Sequence, residues 1–316
     1  MSSSLAIRNH VSLRPYTTLR TGGPAEKFAV VRDVDELSTA ATLAQTANLA
    51  TTVLGWGSNV LPSDEGVPGL VILNRARRLQ VSSNGEVVAD TGCGFQELFL
   101  KTAQQGLSGL EFAVGIPGTL GGALVSNAGA YRSCVSEYLQ GIEIVTDGQR
   151  QWVDPSWMEF DYRNSKLRRP QAPPTVMLRV SMKFPQGDRR AIYEAARDYQ
   201  RQRIGKQPPP ASAGSFFKNV NDHKLAASIE SLTPGMRANG VVPAGFLIEA
   251  CGLKGFRMDG AMLGARHANF ILNVGGATAT GIRRLAELTK RKVMDRFGVQ
   301  LEEEVLYLGD WSAFAP

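Results

Sequence analysis

The chain has 316 residues, 43% hydrophobic and 20% charged, an ordinary globular composition with room for two or three domains. No run approaches the roughly 18 apolar residues of a membrane helix, and residues 1–14 carry serines, Arg8 and His10 in place of the apolar stretch of a secretory signal. The net charge of +6 is dispersed; its densest cluster, Lys166-Leu167-Arg168-Arg169, has no interleaved aromatics and no nucleic-acid motif beside it, so a small polyanionic substrate explains the excess equally well.

Residues 28–31 and 52–54 are expected as short strands around a helix at 35–49. Leu37, Ala40, Ala41, Leu43 and Ala44 give that helix its apolar face, and Asp35 is its expected cap. This βαβ-like unit ends in the turn Gly55-Trp56-Gly57-Ser58-Asn59. A strand at 70–73 follows the Gly/Pro turn of residues 66–69. Next come a strand at 87–90 and a helix at 95–105, with Phe95, Leu98, Phe99 and Ala103 inward and Gly106 as its stop. Strands are expected at 142–146, 150–153 and 176–184, then a charged helix at 190–204. The stretch 205–210, Gly-Lys-Gln-Pro-Pro-Pro, reads as a linker. Beyond it the spacing predicts helices at 224–232 and 246–251 and a strand at 270–273. The helix at 280–297 carries the stripe Ile282, Leu285, Leu288, Val293 and Phe297 and ends at Gly298. A strand at 301–308 closes the chain.

The most informative stretch is 115–131, with five glycines, one proline and no charged side chain. Glycine lets backbone N–H groups approach a ligand closely, and turned amides without competing charge suit a diphosphate. The stretch has neither the Lys and hydroxyl of a P-loop nor the spacing of a dinucleotide-binding fingerprint. Taken alone it is equally a structural turn beside a buried strand. Ser215, between Gly214 and two phenylalanines, is either a turn serine or a partly desolvated, positioned hydroxyl. Arg163 is either paired to Asp161 or free to grip a carboxylate with two N–H groups. Glu302, Glu303 and Glu304 alternate faces if extended, and alone read as a solvated acidic edge. His267 reads as a packed histidine. Three histidines far apart and the isolated cysteines Cys93, Cys134 and Cys251 argue against a metal site or a disulfide framework and for a reducing compartment, the cytoplasm.

Together these pieces resemble one family, the UDP-N-acetylenolpyruvoylglucosamine reductases of peptidoglycan precursor synthesis. The resemblance runs from about Thr18 to Leu308. It is carried by Thr21-Gly22-Gly23-Pro24-Ala25, by Gly55-Trp56-Gly57-Ser58-Asn59 with Ser63-Asp64, and by Gly115-Ile116-Pro117-Gly118. It continues through Asn127-Ala128-Gly129-Ala130-Tyr131, Tyr162-Arg163-Asn164-Ser165 and Ser212-Ala213-Gly214-Ser215-Phe216-Phe217-Lys218-Asn219. Glu249-Ala250-Cys251-Gly252-Leu253-Lys254-Gly255, His267-Ala268-Asn269-Phe270 and residues 301–305 complete it. The resemblance implies an α+β protein: an FAD-binding fold of the vanillyl-alcohol-oxidase (PCMH) type in two subdomains, 1–75 and 76–204, and an α+β substrate domain, 205–316.

The activity so implied is NADPH-dependent reduction of UDP-N-acetylglucosamine enolpyruvate to UDP-N-acetylmuramate through FAD, by a cytoplasmic oxidoreductase. No nucleic acid, membrane, metal or obligate protein partner is expected. The family's FAD-holding turns fall on Gly55, Trp56, Gly57, Ser58 and Asn59 and on Pro117, Gly118, Thr119, Gly121, Gly122, Asn127 and Gly129. Its proton-donating serine falls on Ser215, and its substrate-polarising arginine and glutamate on Arg163 and Glu304. Tyr131, Lys206 and Asn219 are expected to touch phosphates and substrate. Glu304, an anion beside an anion, is expected to be protonated or bridged by a cation. The chain resembles the shorter subtype, without the substrate-capping tyrosine loop, and departs from the usual pattern at Trp56 and Leu306. Trp56 either shields the flavin edge or packs outward. Another FAD-dependent oxidase or dehydrogenase of the same fold is the rival within the enzymes, although such proteins attach flavin to a Cys or His and would leave Ser215 and Glu304 unexplained. A non-catalytic nucleotide-binding protein is the rival outside them, and a yellow purified protein would exclude it.

Overall fold

Partly alternating burial along Pro24–Val31 and an almost wholly buried run along Val67–Asn74 make two strands of unequal surroundings. In the computed structural model, which describes residues 5–169, 171–205, 208 and 211–315, they form the middle of a four-stranded sheet. Its order is Ile7–Ser12, Pro24–Val31, Val67–Asn74, Thr51–Leu54, the last pair parallel with Leu54 opposite Leu73. The helix Val34–Thr46 lays Leu37, Ala40, Ala41 and Ala44 on Ala29, Val31, Leu70 and Ile72, the i, i+3, i+4, i+7 stripe of an amphipathic helix. Its cap is Asp33, not Asp35. The Asp33 carboxylate accepts from the amides of Asp35 and Glu36 at 3.0 and 2.8 Å, so the helix starts one residue before the expected cap.

A second, antiparallel sheet runs Gln149–Val153, Leu139–Thr146, Val176–Lys183, Glu86–Asp90, Leu79–Val81. The helix Phe95–Gln104 buries Phe95, Leu98, Phe99 and Ala103 in one core with Ile142, Ile144, Val180 and Met182. The charged helix Arg189–Ile204 buries only Ile192 and Ala196.

Contacts divide the chain into two units: Met1–Val11, Ala25–Gly57 and Pro68–Gly205 in the first, and Ser12–Pro24, Ser58–Val67 and Lys206–Pro316 in the second. The second unit carries an antiparallel sheet ordered Ala211–Ser215, Phe270–Asn273, Ala261–Leu263, Arg257–Met258 and the helix Ala279–Phe297. Ile282, Leu285, Ala286 and Val293 of that helix are buried with Phe216, Phe217, Leu263 and Ile271. The helix N-terminus is braced by Asp64, whose carboxylate accepts from the amides of Ala279 and Thr280 at 2.9 and 2.8 Å, and by Thr278, which accepts from Gly281. The paired glycines of Thr21-Gly22-Gly23 follow from close packing on the same segment: a Cβ on Gly23 would sit 2.1 Å from the Asp64 carbonyl oxygen, and Gly22, at φ +118°, faces Pro62. These two motifs therefore serve the scaffold.

The strand expected over 301–308 is shorter, Leu306–Leu308, because the backbone changes partner midway. Residues 302–304 bond to 216–218, and from Leu306 the chain pairs in parallel with Val60–Pro62. The strand Ala211–Ser215 and the short helix Leu120–Val125 inside the glycine-rich stretch were not among the expected elements. Part of the linker at 205–210 lies outside the described residues. Among the described residues no helix is long and apolar enough to cross a membrane.

Candidate active site

In the first unit the two glycine turns meet. Gly55 follows its strand so closely against Thr119 that a Cβ there would lie 2.3 Å from Thr119 Oγ1. Thr119 Oγ1 also accepts from the Gly122 amide at 3.3 Å and so caps the Leu120–Val125 helix. The turn is laid along residues 91–95: Phe95 N donates to Gly118 O, Leu120 N to Cys93 O and Gly121 N to Thr91 O, at 2.8–3.0 Å. The amides of Gly121 and Gly122 thus serve the scaffold. Those of Gly118 and Thr119 donate to no protein acceptor among the described residues, which suits a phosphate. A Cβ on Gly94 would lie 3.2 Å from the ring of Trp56, which remains 45% exposed. Gly57 is in this unit, whereas Ser58 and Asn59 belong to the other. Burial pushes the Cys93 thiol up to about 12, so no thiolate stands beside this turn.

Gly55→Ala is expected to drive Thr119 off its cap and shift the Gly118 and Thr119 amides, weakening flavin retention about tenfold, the equivalent of roughly 1.4 kcal/mol. The flavin-to-protein ratio after gel filtration measures it. A native ratio would show that the two turns do not act as one cradle.

Asn127 closes the glycine-rich stretch with φ +41°. Its Nδ2 donates to Asp161 O at 3.1 Å, while its buried Oδ1 has no hydrogen-bond partner among the described residues. A buried acceptor left over beside unused amides fits a polar cofactor that brings its own donors. Gly129 and Ala130 form a two-residue hairpin with Ser133 and Cys134. Arg163 sits at a left-handed turn, φ +50°, between the bridged residues Asp161 and Asn164. Its guanidinium donates to Gly129 O at 2.5 Å and Asn127 O at 3.5 Å and lies 5.2 Å from the Tyr162 ring centroid. Arg163 therefore grips the turn that also carries Asn127.

Tyr131, at φ +54°, stacks on Tyr199 with ring centroids 3.8 Å apart. Arg203 covers the Tyr131 ring at 5.7 Å and donates to Phe112 O at 3.2 Å, with its Nε buried and unpartnered. Burial, with the nearby Arg163 charge adding to it, lowers the Arg203 pKa. A second arginine beside Arg163 was not expected. It was hidden in a helix read as uniformly charged; the signal was its i, i+4 spacing from Tyr199, which puts both on one face.

In the second unit Ser215 ends its strand opposite Phe270, not in a turn or helix cap. The next two residues are clamped by Asn269. Phe216 N donates to Asn269 O at 2.7 Å, Phe217 N to Asn269 Oδ1 at 2.9 Å, and Asn269 Nδ2 to Phe217 O at 2.8 Å. On the other side Glu304 N donates to Phe216 O at 2.8 Å, so Glu304 lies one backbone rung from the Ser215 strand end. Asn59 ties the same rung: its Nδ2 donates to Glu304 O at 3.2 Å, and its own carbonyl accepts from Leu306 N at 3.1 Å. Asn219 Oδ1 accepts from Ala244 N at 3.3 Å, at the start of the Ala244–Ala250 helix. His267 Nδ1 accepts from Asn269 N at 3.3 Å, and its ring packs on Phe270. Lys206 lies outside the described residues. Among the described residues no group of three or more His, Cys, Asp or Glu is placed to hold a metal.

Known proteins carry the same two parts. The family described as FAD binding domain matches residues 25–153, and the family UDP-N-acetylenolpyruvoylglucosamine reductase, C-terminal domain, matches residues 205–308. The UDP-N-acetylenolpyruvoylglucosamine reductase of Synechococcus sp. (strain JA-3-3Ab) is 38% identical over 308 residues, 96% of this chain and 92% of the relative. That of Thermotoga maritima is 34% identical over 293 residues, 92% of this chain and 94% of the relative. The crystal structure of the UDP-N-acetylenolpyruvylglucosamine reductase from Thermus caldophilus superposes with a TM-score of 0.76 at 33% identity, covering 96% of this chain and 99% of that one. The expected α+β architecture with its FAD-binding domain is thereby present, and the chain belongs to the UDP-N-acetylenolpyruvoylglucosamine reductase family.

Proposed function

We propose that Ser215, Arg163 and Glu304 carry the FAD-dependent, NADPH-driven reduction of the enolpyruvyl ether of UDP-N-acetylglucosamine, and that the chain works in the cytoplasm on peptidoglycan precursors. Free Cys93, Cys134 and Cys251 support a reducing compartment. The residues that fit the FAD are Gly55 to Asn59 and the 117–129 turn, with Gly118 and Thr119 supplying amides and Asn127 an acceptor. When bound, the flavin supplies hydride acceptance from NADPH and hydride donation to the vinyl ether.

What is left for the chain is charge and proton. As hydride reaches C3, an electron pair develops at C2 and spreads onto the carboxylate. Arg163 offsets that charge through its N–H groups. The Ser215 O–H bond breaks, its proton goes to C2, and the resulting alkoxide is reprotonated from water. Glu304, kept neutral or bridged by a cation, orients the same carboxylate. Tyr131, Asn219 and Lys206 contact the substrate and its phosphates. The observation that carries this reading is the clamped rung that fixes the Ser215 strand end beside Glu304.

The test is anaerobic. NADPH should bleach the yellow protein, and the enolpyruvyl sugar nucleotide should bring the colour back; failure of that second step would exclude the reading. Arg163→Ala should keep its flavin and its bleaching rate while colour return slows on the order of 10²-fold. A colourless Arg163→Ala protein would make Arg163 only a brace for the turn through Asn127 and Gly129.

A further inference from the structure

Arg283 stands one turn into the Ala279–Phe297 helix. Its guanidinium lies among three rings: Tyr307 at 4.8 Å, Trp311 at 4.7 Å and Phe314 at 4.0 Å from their centroids. Its Nε and Nη1 are buried without a hydrogen-bond partner among the described residues. Leaving donors unused in a dry place is costly, so the ring faces are what hold this cation. Trp311 and Phe314 belong to the tail beyond the last strand, and Tyr307 to the strand itself.

The tail is tied at several further points. Leu308 O accepts from Ser63 N at 2.8 Å, Asp310 N donates to Gly66 O at 3.2 Å, and Trp311 Nε1 donates to Leu308 O at 3.1 Å. Four and seven residues on from Arg283, the same helix face carries Glu287 and Lys290. Lys290 pairs with Glu303 at 3.0 Å, and Tyr307 donates to that carboxylate at 3.2 Å. The helix thus holds the chain on both sides of Glu304, at Glu303 before it and at Tyr307 after it. Glu304 is left facing the Phe216 carbonyl through its amide and Asn59 through its carbonyl.

We propose that Arg283 is a positioning residue for Glu304: its ring cage fastens the C-terminal tail, and the tail holds residues 303–308 in register with Asn59 and Phe216. The proposal rests on the catalytic reading of Glu304. It is tested on the flavin-loaded protein with Arg283→Ala, Arg283→Lys and a chain ending at Asp310. Amide exchange at Leu306 and Asp310 should rise at least roughly tenfold in Arg283→Ala and in the shortened chain, since both hydrogen bonds lie on the released segment. Colour return with the enolpyruvyl substrate should slow by about tenfold in kcat with KM unchanged, while bleaching by NADPH stays native. Arg283→Lys should recover most of both, because an ammonium still binds ring faces. Native exchange in Arg283→Ala overturns the proposal. So does fast exchange with native colour return while Glu304→Gln is slow. If Glu304→Gln itself keeps the native rate, the catalytic reading of Glu304 fails, and exchange alone then decides whether Arg283 holds the tail.

Discussion

Ser215→Ala is expected to bleach with NADPH at the native rate and to regain its colour with the enolpyruvyl substrate about 10²–10⁴ times more slowly. The size follows from the job. A serine hydroxyl is a feeble acid in water, so its use as a proton donor depends on placement, and placement is what the surrounding residues supply. The strand end is paired to Phe270, and the next two residues are locked to Asn269. Alanine keeps that backbone and removes only the O–H. Flavin content and thermal midpoint should therefore stay native, which separates loss of the proton from loss of the fold. Stopped-flow absorbance of the flavin, read separately in the two half-reactions, decides the matter. Equal slowing of both would mean that Ser215 shapes the site and transfers no proton.

The parts legible in the sequence are those with a local period. The helices at 34–46, 95–104 and 279–297 and the strand at 270–273 emerge from apolar spacing alone, because each buries one face against its own unit's core. The strand Ala211–Ser215 has no such period; its five small residues are weak strand formers and extend only because Phe270–Asn273 lies alongside. The cap is Asp33, two positions before Asp35, a difference below the reach of spacing arguments. The roles of Ser215, Arg163 and Glu304 were assigned by likeness of motif, since taken singly each read as a turn, an ion pair or an acidic edge. Asn269 and Arg203 were missed for a related reason. The side-chain partners of Asn269 lie 52 residues away, and Arg203 meets Phe112 from a helix end 91 residues on. Pairing at that range leaves no mark in a local window, where Arg203 shows only its i, i+4 spacing from Tyr199.

Asn269→Leu is expected to cost about 3 kcal/mol of stability and to slow colour return without loss of flavin. Asn269 is 3% exposed and Phe217 1%, and between them run two hydrogen bonds of 2.9 and 2.8 Å that imitate a strand pair. Leucine keeps the branched outline, with bulkier methyl ends, but leaves the Phe217 N–H and C=O buried and unpaired, at roughly 1–3 kcal/mol each. Asn269→Asp distinguishes this cause from packing. One carboxylate oxygen still accepts from Phe217 N–H, while the other points at the Phe217 carbonyl, oxygen against oxygen. Burial and that contact raise the aspartate's folded pKa above its unfolded value of about 3.9. The folded state then binds the proton more tightly, so stability lost near pH 7 returns as pH falls toward about 4, where the protonated carboxyl donates to the carbonyl as the amide did. The leucine variant has no proton to gain, and its deficit relative to the native chain should be flat over that range. Thermal unfolding of both variants against pH measures this. An aspartate variant that tracks the leucine one, or a leucine variant as stable as the native chain, would mean that the clamp at Phe217 does not hold the strand end on which Ser215 stands.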